Sequence, residues 1–227
     1  MKKITVVIPA LNEEKAISRV IKEVPIEKLK SMGYETEIMV IDNGSTDKTN
    51  VLARKNGANV FIQPVKGYGN AYKAGFANAH GDIIVTGDAD LTYPFEDIPK
   101  FIRIMEKENL DFINTNRLIN LKPEVMHWTH KFGNWFLATI CHVLYGLPFK
   151  DSQSGMWIFK KSIWNKLNVN SSGMPFSQEL KIEVHKKGFK CKEVPINYRA
   201  RVGDVKLRGI KDAFGNTIHL FLKWILG

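Results

Sequence analysis

The chain has 227 residues, of which 44% are hydrophobic, 25% charged and 11% aromatic; that is enough apolar material for a sizeable core and excludes intrinsic disorder. Its two cysteines, Cys141 and Cys191, are too few for a disulfide scaffold and lack metal-ligand spacing. Lys+Arg 33 against Asp+Glu 23 gives a net charge of +10, which attracts phosphates, nucleotides, nucleic acid or an anionic membrane face.

The N-terminus runs into a strand-like segment rather than a signal peptide, which together with the cysteine usage predicts a reducing, cytoplasmic protein. Residues 4–9 (ITVVIP) read as a buried strand. A helix over 13–24 follows, with Ala16, Ile17, Val20, Ile21 and Val24 recurring at three and four. The second strand, 37–42 (EIMVID), ends in Asn43-Gly44-Ser45-Thr46, turn chemistry and a cap for a short helix over 47–56. A third strand, 58–62, leads through Lys66-Gly67-Tyr68-Gly69-Asn70 into an Ala-rich helix ending near residue 80. The fourth strand, 82–86, ends in Gly87-Asp88-Ala89-Asp90. This alternation predicts βαβ units and a mostly parallel sheet.

Beyond Pro94 the pattern gives a helix (95–109), a strand (112–115), an amphipathic stretch (128–147), a strand (156–159), a helix (178–187) and a strand (190–197). Neither 128–147 nor 210–226 offers the about 20 uninterrupted apolar residues that a bilayer span needs. His130, Lys131, Asn134 and His142 interrupt the first, and His219 and Lys223 the second. Both read as helices lying in a membrane interface, or as ordinary packed amphipathic helices. With no repeat or linker, one domain is expected, with a nucleotide-binding half (1–95) and an acceptor-binding half (96–227).

Ligands of open α/β sheets bind at the carboxyl ends of the strands, where loop amides and helix N-termini converge. Three polar clusters fall there: Pro9-Ala10-Leu11-Asn12-Glu13, Asp42 to Asp47, and Asp88-Ala89-Asp90. Each has a structural alternative, Asn12 and Thr46 as helix caps and Asp42 as a turn former. Asp88 and Asp90, two apart on an extended segment, point the same way and repel unless a cation lies between them. Mg²⁺ or Mn²⁺ suits such a pair and completes its shell with water and substrate phosphates, so a diphosphate ligand is implied.

A dinucleotide-binding oxidoreductase needs a Gly-rich turn after the first strand, and none is present; no phosphate-loop motif of an ATPase occurs. A nucleotidyltransferase also places carboxylates at strand ends, but its opening Gly-rich basic loop is missing. A non-enzymatic basic membrane-surface module rests on charge alone. No interleaving of aromatic and basic residues supports nucleic-acid binding.

In order and spacing, PALNE, IDNGSTD, GYGNA and GDADLTYP resemble the family 2 inverting glycosyltransferases and, within them, the polyprenol (dolichol) phosphate sugar synthases. Asn116-Arg117, Lys131-Phe132-Gly133-Asn134, the segment from Asp151 to Gly155, Glu179 and the basic loop from Arg201 through Lys206 extend the likeness over nearly the whole chain. The resemblance implies an α/β glycosyltransferase A fold: a single domain with a mostly parallel central sheet flanked by helices. It implies Pro9, Leu11, Glu13 and Asp42 around the nucleoside. Asp88, Ala89 and Asp90 would hold Mg²⁺ or Mn²⁺ and the diphosphate, with Thr92 nearby. Arg117, Lys131, Arg201 and Lys206 would meet donor or acceptor phosphates. The chain departs from the family pattern at Leu11, where an aromatic is usual, at Asn43 (aspartate), Thr92 (glutamine), Ser177 (lysine) and Val205 (serine).

The implied reaction is inverting transfer of a hexose from a UDP- or GDP-linked sugar to a polyprenyl phosphate at the inner face of the cell membrane. The resemblance also raises a separate membrane-protein partner, because some relatives carry C-terminal transmembrane helices. A phosphate monoester, with a second pKa near ~6, is already anionic and needs positioning more than deprotonation. A sugar hydroxyl acceptor would instead need a carboxylate base. Asp151 and Glu179 are the candidates, with turn capping and a first-turn helix position as their structural alternatives.

Overall fold

A computed structural model describes residues 1–203 and 209–226. Strand β1 (Lys2–Ala10) pairs in parallel with β2 (Tyr34–Asp42) on one side and β4 (Ile83–Thr86) on the other. Strand β3 (Asn59–Ile62) extends the sheet beyond β2. Across β4 come β6 (Trp157–Lys160), β5 (Phe112–Asn116) and β7 (Cys191–Pro195), giving the order β3-β2-β1-β4-β6-β5-β7. β6 runs antiparallel to both neighbours, a reversal that the sequence pattern does not signal.

Alternation along the strands splits the core into two layers. Ile4, Val6, Ile8, Val40, Val85, Ile113 and Ile158 face a layer with α1 (Ile17–Glu23), α3 (Thr49–Lys55) and α5 (Ile98–Glu108). Val7, Met39, Ile41, Ile84, Phe112, Trp157 and Phe159 face α4 (Tyr68–Asn78), α6 (Trp128–Tyr145) and α8 (Phe176–Lys186). Burial on both faces is why the central strands read as continuous apolar runs.

The first helix begins at Ile17 rather than at residue 13, because Glu13 closes a turn whose carbonyl accepts the N–H groups of Ala16 and Ile17. Two short helices escaped the sequence pattern: α2 (Ile26–Ser31), which follows Pro25, and α7 (Lys161–Trp164). The last helix, α9 (Gly209–Leu226), packs on α6, where the Tyr145 hydroxyl donates to the Leu220 carbonyl at 2.6 Å. Leu137, Ala138 and Cys141 bury the inner side of α6, while Trp128, Phe132, Trp135 and Phe136 stay exposed. Among the described residues no helix is long and apolar enough to cross a membrane.

From β1 the chain winds outward to β2 and β3, then returns to β4 on the other side of β1. The loops after β1 and β4 therefore diverge and leave a crevice at the carboxyl ends of these two strands, the switch point where open α/β sheets take their ligands.

One aromatic cluster anchors this second layer. The Phe76 ring lies 5.1 Å from Phe159 and 5.0 Å from Trp164, both edge-on, and 5.5 Å from Tyr72. Phe76→Ala should cost about 3–5 kcal/mol of stability, read as a lowered urea midpoint; a loss below about 1 kcal/mol would contradict this packing.

Candidate active site at the β1/β4 switch point

The loops after β1 and β2 are locked to each other before any ligand arrives. Asn12, in the left-handed region at φ 53°, accepts the Thr46 N–H at 2.8 Å and donates its own N–H to the Ser45 hydroxyl at 3.0 Å. Neither Asn12 nor Thr46 caps a helix; they pair with each other across the two loops. The Glu13 N–H donates to the Thr49 hydroxyl at 2.8 Å, which brings Glu13 into the crevice. Pro9 and Leu11 are half-buried at the crevice edge. Asp42 is buried, and its carboxylate accepts from the Ser45 N–H at 2.9 Å and the Asn50 amide at 3.2 Å.

Asn43 uses both ends of its amide. Its Nδ2 donates to the carbonyls of Gln63 (3.1 Å) and Val65 (3.0 Å), and its Oδ1 accepts the Gly67 N–H at 2.7 Å. A carboxylate has no donor for those two carbonyls. Gly67 and Gly69 answer to a close approach: a Cβ on either would collide with the carbonyl of Ser172 or Ser171.

Asp88, Ala89 and Asp90 follow β4, with Ala89 and Asp90 each 2% exposed. Asp90 Oδ1 accepts from the Thr92 hydroxyl (2.6 Å) and the Thr92 N–H (3.1 Å). Its Oδ2 accepts from Arg201 Nε at 2.7 Å, and Arg201 Nη2 lies 2.7 Å from the same oxygen. Arg201 Nη2 also approaches Glu13 at 4.0 Å. Burial first, and then the charge of Asp90, push the Asp88 carboxyl up to about 7, against the pull of Arg201 and Arg117. Gly155 lies beside Asp88 and the hydroxyls of Tyr68 and Tyr93, and a Cβ there would collide with the Tyr68 hydroxyl.

Arg117, at the end of β5, grips Asp151 through Nε (2.8 Å) and Nη2 (2.8 Å), while its backbone N–H donates to the same carboxylate at 2.9 Å. Burial would raise the Asp151 pKa, but the Arg117 charge and hydrogen bonds outweigh it and hold the carboxyl below its ordinary value. Glu179 is likewise lowered: hydrogen bonds from Ser171, Asn170 and Lys223 outweigh the effect of its burial. Its Oε1 lies 3.1 Å from Lys223 Nζ of α9, and Ser171 N–H donates to Oε2 at 2.8 Å. Asp151 is thus bound to Arg117, and Glu179 belongs to the junction of α8 and α9.

The crevice therefore brings together Glu13, Asp88, Ala89, Asp90, Thr92, Arg117 and Arg201. Asp42 turns into its own loop, and Lys131 occupies the first turn of α6. Lys206 lies outside the described residues.

The two carboxylates suit a divalent cation. They are oxygen donors, Asp90 buried and Asp88 half-buried, and they repel each other, which is the setting a hard cation relieves. Among the described residues no group of three His, Cys, Asp or Glu side chains is placed to hold a metal alone. A cation at Asp88 and Asp90 would accordingly complete its shell with water and ligand phosphates.

Two organising residues were invisible in the sequence. Glu193 of β7 accepts from the Asn114 and Asn116 amides (3.0 and 2.8 Å) and from the N–H groups of Lys150 (3.2 Å) and Asp151 (3.0 Å). Lys181, fully buried, donates to the carbonyls of Ser152 (2.7 Å) and Ser154 (2.8 Å) and meets the Ser177 hydroxyl at 3.1 Å. It sits one turn beyond Ser177 on α8. Both residues hold the 151–155 segment, which carries the partner of Arg117 and the glycine beside Asp88.

A mostly parallel seven-stranded sheet, with one antiparallel strand and a pair of carboxylates at its switch point, is the architecture of the glycosyltransferase A fold. A crystal structure of glucosyl-3-phosphoglycerate synthase from Mycobacterium tuberculosis, solved with Mn²⁺, UDP-glucose and phosphoglyceric acid, shares this fold. It matches with a TM-score of 0.79 at 21% identity, covering 100% of this chain and 81% of that one. Residues 5–167 match glycosyl transferase family 2. The low-salt glycan biosynthesis hexosyltransferase Agl6 of Haloferax volcanii is 37% identical over 213 residues, 93% of this chain and 51% of Agl6, so the chain spans about half the length of that relative. A dolichyl-phosphate hexose transferase of the same organism is 32% identical over 205 residues, 90% of this chain and 86% of that protein. The chain belongs to glycosyl transferase family 2.

Burial pulls the Lys181 amine down to about 7 from its ordinary 10.5. The folded state thus disfavours the proton that the unfolded chain keeps, a penalty that is full below pH 7 and lifts as pH rises toward 10.5. Replacing the side chain by the uncharged one in Lys181→Met should flatten the rise in urea midpoint between about pH 7 and pH 9. An unchanged rise would show that another group produces it.

Proposed function

We propose that the chain transfers a hexose from a nucleoside-diphosphate sugar to a polyprenyl phosphate, with inversion and with the help of Mg²⁺ or Mn²⁺. The observation that carries this reading is the pairing of buried carboxylates with Arg117 and Arg201 in one crevice, while both candidate bases are held as ionised partners of cations. An acceptor that is already anionic needs cations and orientation, whereas a hydroxyl acceptor needs a poised base. The names of similar proteins, dolichyl-phosphate hexose transferase among them, support the same acceptor class.

In this reading Pro9, Leu11 and Glu13 line the nucleoside side, in residues 1–95, with Asp42 bracing the loop beside them, and residues 96–227 shape the acceptor side. A divalent cation bound by Asp88 and Asp90 would supply charge neutralisation on the departing diphosphate. Thr92 fixes the Asp90 carboxylate for that task. Arg117 is oriented by Asp151 and stacks over Tyr198 at 5.4 Å, so its guanidinium reaches the crevice in one geometry. Lys131 and Lys206 supplement it on the acceptor phosphate.

A membrane surface is the natural place for such an acceptor. Trp128, Phe132, Trp135 and Phe136 on α6 lie at helical spacing and are between 45% and 68% exposed; Phe221, Trp224 and Ile225 of α9 are exposed too. Aromatic residues on a basic chain suit the interface of an anionic leaflet. In this reading the reaction takes place at the inner face of the cell membrane, beside a separate membrane-protein partner.

Labelled UDP- and GDP-hexoses, offered with Mn²⁺ and polyprenyl phosphate, polyprenol or 3-phosphoglycerate, should yield labelled product only with the polyprenyl phosphate. Transfer to the free alcohol alone, or to none of the acceptors, would contradict the proposal. In the same assay Glu179→Gln should keep its rate within a few-fold per folded molecule, since loss of a general base costs about 10²–10⁴-fold.

A further inference from the structure

A carboxylate offers about four lone-pair positions, and at Asp90 all four face partners within the chain. The Thr92 hydroxyl and N–H occupy Oδ1, and two nitrogens of the Arg201 guanidinium occupy Oδ2. A cation therefore reaches Asp90 Oδ2 only by displacing Arg201. The Arg201 side chain stands on a segment zipped along the carboxylate loop: Arg199 N–H donates to the Thr92 carbonyl and Val202 N–H to the Asp90 carbonyl, each at 3.0 Å. Those backbone bonds do not involve the guanidinium, so it can leave Asp90 while its Cα stays beside the site.

We propose that Arg201 is the resident counter-ion of the Asp88–Asp90 pair, and that a divalent cation arriving with a nucleoside diphosphate takes its seat and hands the guanidinium to the phosphates. This rests on the divalent-cation reading given under the proposed function. Without Arg201 the buried Asp90 and its half-buried neighbour Asp88 would stand with one neutralising cation fewer. With it, the metal alone must compete against a two-nitrogen ion pair, whereas metal and diphosphate together give Arg201 a new anionic partner. Arg201 thereby couples the two ligands, weakening the metal alone and strengthening the metal–nucleotide complex.

Mn²⁺ binding to the full chain, followed by electron paramagnetic resonance and calorimetry with and without UDP, tests this. Arg201→Gln should bind Mn²⁺ alone about ten-fold more tightly than the wild type, and Mn²⁺ with UDP no more tightly or more weakly. A purely structural arginine would weaken both. Should Arg201→Gln fail to fold by circular dichroism, Arg201→Lys, which keeps the charge but loses the second nitrogen, should show a smaller gain for Mn²⁺ alone. Wild-type binding of Mn²⁺ with UDP but no gain in either variant would overturn the handover alone. No Mn²⁺ bound to the wild type even with UDP would overturn the metal reading and the handover with it.

Discussion

Two carboxylates brought side by side at the end of β4 repel each other, and much of the crevice is the means of holding them there. Asp90 is 2% exposed, and Asp88 is pushed up to about 7 by burial and by its neighbour. Such an arrangement persists only because cations and donors surround it: Arg201 on Asp90, Thr92 on the opposite oxygen, and Arg117 across the crevice. Arg117 in turn keeps its place through Asp151, whose backbone is held by Glu193 and whose segment is pinned by Lys181. The chain of dependence runs from β7 and α8, at the far side of the sheet, to the carboxylates beside β1.

The same charge pattern separates kinds of chemistry. A site that activates a hydroxyl keeps a carboxylate free to take a proton, with a pKa raised toward neutrality. Here the raised carboxyl is Asp88, within the pair itself, while Asp151 and Glu179 are both lowered by their cationic and N–H partners. The crevice offers positive charge to an anion more readily than it offers a base to an alcohol.

The first half of the chain is largely readable from sequence, because its central parallel strands β1, β2 and β4 are largely buried on both faces and end abruptly in polar residues. The clusters at Pro9–Glu13, Asp42–Asp47 and Asp88–Asp90 stand out for that reason. Pairings between distant segments do not. Asn12 and Thr46 each satisfy a local capping rule, yet the contact between their loops outcompetes it. The Arg117–Asp151 pair spans 34 residues and carries no local signature. Lys181 reads as a solvated helix residue, since only the folded chain shows three oxygens around its amine. The antiparallel β6 was hidden because a short apolar run specifies burial and not direction.

The account turns on where a cation binds. Crystals of the full chain soaked with Mn²⁺ and a UDP- or GDP-hexose should show an anomalous peak bridging Asp88 and Asp90, with the diphosphate completing its shell. Nucleotide bound at the strand ends with no anomalous peak there, or with the peak at another site, would contradict it.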